Sequence, residues 1–267
     1  NFGVWKALCR PGKYMEAGCR ISFAADFFCD VRVKEKDGTV LLQFSDDDAT
    51  VRAKANIYGH VPVPPYVKEE PKDSSVYNTV YGKTEGSVAS PTAGFHFTPE
   101  LIAELKARGV LFAEVTLHVG LGTFLPVKTD TVEAHTMHAE HAEILQETVD
   151  MVLLAKREGR RVVAVGTTSM RTLEGVAEIL RKENAVESHN QKPLLRSWSG
   201  DLSTFIYPGF KFQVVDALLT NFHLPESTLL MLVCAFSGDT SRMLAVYDEA
   251  VREGYRFFSF GDAMFIV

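Results

Sequence analysis

The chain of 267 residues is poor in cysteine and has no C-x-x-C pair, which excludes a zinc ribbon or a thioredoxin-type redox site by motif. Cys9, Cys19, Cys29 and Cys234 each lie among apolar neighbours, as buried free thiols do, so a reducing cytoplasm is the expected compartment. No apolar run is long enough to span a bilayer; the longest, LLMLVCAF at 229–236, suits a buried helix. The H-E-x-x-H signature of zinc proteases is missing, as are internal repeats and low-complexity tracts. The opening NFGVWKALCR has neither a signal-peptide pattern nor an initiator Met and reads as mid-strand, so a leading segment is expected before it. Positive charge is also short. The formal net charge of −6 weighs against a nucleic-acid partner unless basic residues gather locally.

The hydrophobic fraction of 46% and charged fraction of 23% are those of a globular protein, and the length allows one large domain or two unequal ones. Residues 1–63 carry short apolar runs separated by turn signals at Pro11-Gly12, Ala17-Gly18 and Asp37-Gly38, which predicts a small antiparallel β-barrel or sandwich. Residues 64–89, rich in proline and charge at their start, read as a linker and entry segment. From 90 to 267 strand and helix patterns alternate, which predicts an α/β domain with a largely parallel sheet or an irregular barrel. Thr98 and Pro99 cap a helix that stops near Gly109, and a strand follows at 110–119. Helices are expected at 147–158, from Ser169 onward, near 227–236 and at 240–253. Strands are expected at 161–165, 205–210, 211–219 and 255–267, with a long loop at 183–204.

Ligands of α/β sheets bind beyond the carboxyl ends of strands, and polar residues gather at four such ends here. The first is His118 with Gly120, Gly122, Thr123 and Phe124; the stretch resembles the start of a dinucleotide turn, but Leu125 stands where the third glycine belongs. Gly166, Thr167, Thr168 and Ser169 open a helix and are suited to a carboxylate or phosphate, or simply to capping. Arg171, one turn on, is placed to grip such an anion, or to pair at the surface with Glu174. Asn221 and His223 follow a third strand, Gly261 and Asp262 a fourth, and the upstream loop SPTAGFHFTPE adds Thr92, Gly94 and His96. Asn221 suits a nucleobase edge or its own turn. His118 and His223 read equally as catalysts or as satisfied structural residues. His135, His138 and His141 would share a helical face, and a metal site there is weighed against a polar connection; none is assigned. The basic clusters RPGK and KREGRR offer Arg10, Lys13, Arg160 and Arg161 as phosphate contacts.

Taken in order, PTAGFHF, VTLHVGLGTFLPV, HTMHAE, VVAVGTTSMRTLE, FIYPGFKFQVVDALLTNFHLPESTLLMLVCAF and YRFFSFGDAM resemble the S-adenosylmethionine:tRNA ribosyltransferase-isomerases of bacterial queuosine synthesis. WKALCRPGK and GHVPVPPYV resemble the same family's small domain, so the likeness runs nearly end to end. Two departures stand out. The family's leading segment, with an Asn-Asp-Thr-Arg turn, precedes what is present here, and His141 stands where the family tends to have an aromatic residue.

The resemblance implies transfer of the ribosyl moiety of S-adenosylmethionine to 7-aminomethyl-7-deazaguanine at the tRNA wobble position, with isomerisation to epoxyqueuosine and release of adenine and methionine. S-adenosylmethionine is then a consumed cosubstrate, no cofactor stays bound, and the enzyme is a cytoplasmic monomer. On this reading His118, His223 and His96 are the candidate acids and bases, and Arg171 with Gly166–Ser169 holds the methionine carboxylate. Gly120, Gly122, Thr123, Phe124 and Asn221 line the adenosine pocket, and tRNA enters between the two domains. A methyltransferase and a non-catalytic tRNA or nucleotide-binding module are the competing classes.

Overall fold

The computed structural model describes the chain except residues 1, 2, 37, 61, 62, 64–66, 68–73, 85, 121–130, 133, 134, 136 and 187–193. It divides into two compact units, Asn1–Val61 and Pro62–Val267.

The smaller unit is an antiparallel sheet of β1 (Val4–Leu8), β2 (Arg20–Ala24), β3 (Phe27–Lys34) and β4 (Thr39–Gln43) in the order β1-β4-β3-β2. β1 and β2 are its two edges, so the sheet is open and single, where a small barrel or sandwich was expected. Alternation buries Phe27, Cys29 and Val31 of β3 against Val40 and Leu42 of β4. The lid on this face is α1 (Asp48–Tyr58), which contributes Val51 and corrects the all-β expectation. Asp47 starts it, its carboxylate accepting from the Thr50 N–H at 2.7 Å. Cys19 is exposed, contrary to the buried thiol expected, because it lies in the turn before β2 rather than on the covered face.

The larger unit contains two three-stranded sheets among its described residues. One has the order β10 (Ala263–Ile266), β9 (Ala217–Asn221), β7 (Val163–Val165), with β7 and β9 parallel and β10 antiparallel. The other has the order β5 (Thr116–His118), β6 (Glu140–Ile144), β8 (Trp198–Leu202), all antiparallel. The expectation of a largely parallel sheet or barrel is therefore corrected: β7–β9 is the one parallel pair among the described strands. The β7-to-β9 connection holds a helix at Thr167–Val186 and then β8 of the other sheet, and two helices, at Thr228–Ser237 and Thr240–Arg252, lie between β9 and β10.

The helices are α2 (Pro99–Ala107), α3 (Gln146–Arg157), α4 (Thr167–Val186), α5 (Thr228–Ser237) and α6 (Thr240–Arg252). α4 turns Met170, Leu173, Val176, Ala177 and Leu180 inward at helical spacing, where they join Ala164, Leu218, Val233 and Tyr247 in one core. β9 is buried along both faces, which suits the unbroken apolar run that leads into it. α5 is apolar all round and starts at Ser227, whose hydroxyl accepts from the Leu230 N–H; Gly238 closes it at φ 72°. No strand forms at 205–210, and 110–115 carry no regular structure before the short β5.

Candidate active site

Parallel pairing brings the carboxyl ends of β7 and β9 to one edge, and antiparallel β10 begins there, with Ala263 opposite Asn221. Gly261 and Asp262 thus reach this edge from the start of a strand, not from the end of one as the sequence suggested. Asn221, 2% exposed, is the knot. Its Nδ2 donates to Phe258 O at 3.1 Å and lies 3.3 Å from His96 Nε2; Thr92 Oγ1 donates to its Oδ1 at 3.4 Å. With both amide hydrogens so directed, His96 Nε2 is the acceptor and its proton sits on Nδ1. Asn221 therefore ties three segments together rather than holding its own turn. Burial lowers the His96 pKa, with Asp262 opposing and Arg256 adding to the shift. Arg256 grips Asp262 through its backbone N–H and guanidinium, both at 2.7 Å. Phe258 adopts φ 72°, rare for a bulky side chain, inside this loop.

His223 is half-buried, and desolvation pushes its pKa down to about 4. Its Nε2 meets Thr220 Oγ1 at 2.9 Å and its backbone N–H donates to the Tyr247 hydroxyl at 3.2 Å. The ring is thus held neutral and oriented. Across the edge, Gly166 at φ 88° donates its N–H to Leu219 O at 2.8 Å and turns the chain into α4. Of the three hydroxyls there, that of Ser169 is spent on Val165 O at 2.9 Å, and the Thr168 carbonyl accepts from the Thr172 hydroxyl.

A second group adjoins the first turn of α4. The rings of His118 and His141 stack with centroids 6.0 Å apart, and His141 Nδ1 lies 3.5 Å from Asp201. Gly86, at φ 132°, lies against the His118 ring: a Cβ there would be 2.7 Å from Nδ1. The turn after β5 is fixed by Ser87 Oγ on the Val119 N–H at 3.1 Å and by Glu140 Oε1 on the Gly120 N–H at 3.0 Å. Glu140 also pairs with the Arg171 guanidinium, and both side chains are buried, 2% and 12% exposed. Burial lowers the Arg171 pKa to about 10, and Arg171 Nε has no hydrogen-bond partner among the described residues.

This corrects the surface Arg171–Glu174 pair. Glu174 instead accepts the N–H groups of Gln213, Val214 and Val215 at 2.7–2.9 Å. Glu140 was missed as a site residue. Its signal is the period-two face Glu140, Ala142, Ile144, where a carboxylate among buried positions requires a partner. His141 lies on β6 and 137–139 are not helical, so the three-histidine helical face does not form. No group of three or more His, Cys, Asp or Glu suited to a metal occurs among the described residues.

Gly122, Thr123 and Phe124 lie outside the described residues. Arg10 and Lys13 belong to the smaller unit, where the Lys13 ammonium lies 4.7 Å from the Tyr14 ring centre. Arg160 pairs with Glu158 at 2.8 Å, and Arg161 adds to the positive field at Asp216.

A family model described as queuosine biosynthesis protein matches residues 1–266. The chain belongs to the queuosine biosynthesis protein family. Among its relatives is an S-adenosylmethionine:tRNA ribosyltransferase-isomerase of Carboxydothermus hydrogenoformans, 49% identical over all of this chain and 75% of the relative. The protein of that name from Thermotoga maritima is 49% identical, over 99% of this chain and 74% of its own. The crystal structure of a Thermotoga maritima S-adenosylmethionine tRNA ribosyltransferase matches with TM-score 0.51 and 36% identity, covering all of this chain and 71% of that one. In this queuosine biosynthesis protein, then, the first turn of α4 adjoins both groups. Gly166 leads from the Asn221 edge, and Arg171 reaches Glu140 beneath the His118–Gly120 turn.

Proposed function

We propose that this member of the queuosine biosynthesis family transfers the ribosyl moiety of S-adenosylmethionine to the aminomethyl group of 7-aminomethyl-7-deazaguanine at the tRNA wobble position. The ribosyl is isomerised to an epoxycyclopentanediol, giving epoxyqueuosine, and adenine and methionine leave. The observation that carries the reading is a match to ribosyltransferase-isomerases over the whole chain, combined with imidazoles, a buried arginine and a buried amide in two groups that adjoin the start of α4. S-adenosylmethionine is consumed, so no resident cofactor is required. The tRNA substrate implies a cytoplasmic enzyme, acting as a monomer.

The chemistry needs a base for the sulfonium-acidified ribose carbon, a donor to the departing adenine and a neutral attacking amine. Two of the candidate histidines differ physically. His223, held near pKa 4 with Nε2 engaged by Thr220, is a weak base and serves better as a fixed neutral hydrogen-bonding group. His118, at the end of β5 just before the turn that Glu140 braces, is assigned as the base, and His96, tied to Asn221, is suited to orient substrate. Arg171, whose guanidinium is held by Glu140 and whose Nε has no partner among the described residues, is assigned as the donor to the methionine carboxylate. Gly120, Gly122, Thr123 and Phe124 are assigned to binding the adenosine of S-adenosylmethionine, the last three on their place in the sequence. Arg10 and Lys13 on the smaller unit, with Arg160 and Arg161 on the larger, contact phosphates.

Adenine release from S-adenosylmethionine with substrate tRNA tests these roles in His118→Ala and His223→Ala. His118→Ala is expected to lose roughly 100-fold or more in kcat, as removal of a general base does, and His223→Ala less. Near-normal turnover in both would overturn the proton-transfer roles. S-adenosylhomocysteine as product would replace the reading with a methyltransferase.

A further inference from the structure

A cleft of about 580 Å³ runs along α4 and the segment after β8, away from the knot at Asn221. Its walls include Glu178 and Lys182 of α4 and Asp201, Thr204, Phe205 and Tyr207. The volume is ample for a flipped-out nucleobase. The rings of Phe205 and Tyr207 sit 5.1 Å apart, tilted by 40°; both are half-buried and line the cleft, and the His135 ring packs T-shaped on Phe205 at 5.1 Å. Aromatic faces of this kind stack bases in single-stranded RNA recognition.

The polar lining narrows the choice of base. Arg181 takes both Glu178 oxygens at 2.7 and 2.8 Å, and Lys182 lies 3.4 Å away, so that carboxylate is neutralised within the helix. Asp201 at the rim is paired with no lysine or arginine among the described residues. It lies 3.5 Å from His141, whose ring stacks on His118. An aromatic slot with a carboxylate rim suits a planar ring bearing an amine, bound as its ammonium and losing a proton before it attacks, and the rim leads through His141 to the proposed base. We infer that this cleft is the subsite for the acceptor base, with Phe205 and Tyr207 stacking its ring and Asp201 facing its aminomethyl group. The inference rests on the ribosyltransferase reading above for the identity of the base.

The test uses the whole chain and two anticodon stem-loop RNAs, one with 7-aminomethyl-7-deazaguanine at the wobble position and one with guanine. Fluorescence anisotropy gives their Kd ratio independently of turnover. The wild-type chain is expected to prefer the modified RNA at least tenfold. Asp201→Asn should bring the ratio to about twofold or less. Tyr207→Ala should weaken both RNAs, and Tyr207→Phe should restore them. Thermal unfolding of each variant identifies misfolding, and the Tyr207→Phe rescue keeps the stacking claim testable if Tyr207→Ala is unstable. A wild-type ratio near one, or an unchanged ratio in Asp201→Asn, overturns the cleft assignment. Adenine release measured alongside separates the failures: turnover with no discrimination sinks the cleft and spares the reaction, whereas discrimination without turnover does the reverse.

Discussion

His223 shows how much one desolvated ring couples function to stability. Its folded pKa near 4 lies below the ordinary 6.5, so in between the unfolded chain binds the proton and the folded one does not. Stability is therefore complete above about pH 6.5 and falls as the pH drops toward 4; His96 shifts in the same direction. Between pH 7 and pH 5 the His223 contribution alone costs on the order of 2 kcal/mol. Urea unfolding at the two pH values should show that loss in the wild-type chain and a clearly smaller one in His223→Gln. Equal losses would mean that the ring is not desolvated. Glu174 offers a second residue-scale expectation. Three backbone N–H groups converge on its buried carboxylate, and Glu174→Ala leaves all three without an acceptor. That should cost about 3 kcal/mol or more, a fall in Tm of roughly 6 to 12 °C for a unit of this size. A fall under 2 °C would show that the 213–215 segment is held otherwise.

At the scale of elements, the loop between α6 and β10 carries both the Phe258 carbonyl that meets Asn221 and the Asp262–Arg256 pair. Gly261 allows the loop to fold onto itself, since a Cβ there would lie 2.5 Å from the Phe257 carbonyl carbon and against Arg256 O. Those are backbone atoms that cannot swing away. Gly261→Ala is expected to displace the loop and cut turnover at least tenfold, with the smaller unit's circular dichroism unchanged; wild-type turnover would show that the loop is not part of the site. Helices were legible where caps and spacing agree, as at Thr98-Pro99, Ser227 and the inward stripe of α4. α1 was not, although Asp47 and the absence of Gly or Pro from 48 to 58 marked it; the turn-rich strands before it set the expectation. Strand direction was illegible because an apolar run such as VVDALL carries no record of which way its neighbour runs. The candidate site was half legible. His118 and Asn221 stand out as polar residues at strand ends, with His96 in a loop and Arg171 one turn into a helix, whereas Glu140, which pairs with Arg171 and holds the Gly120 N–H, comes from a distant segment and no local pattern pairs it.

At the scale of the whole molecule, a chain with net charge −6 that binds tRNA must do so through local cations. If Arg10, Lys13, Arg160 and Arg161 each meet a phosphate, the logarithm of tRNA affinity should fall against the logarithm of salt with a slope of roughly −3. Removing any one charge should flatten the slope by about one; a flat dependence in the wild-type chain would contradict these contacts. The central claim is that the cosubstrate gives up its ribose and not its methyl group. Two preparations of S-adenosylmethionine, one labelled in the ribose carbons and one in the methyl carbon, test it with tRNA bearing 7-aminomethyl-7-deazaguanine. The account predicts that ribose label enters the tRNA mole for mole with adenine released, while methyl label leaves as methionine. Methyl label in the tRNA, or ribose label recovered as S-adenosylhomocysteine, would contradict it.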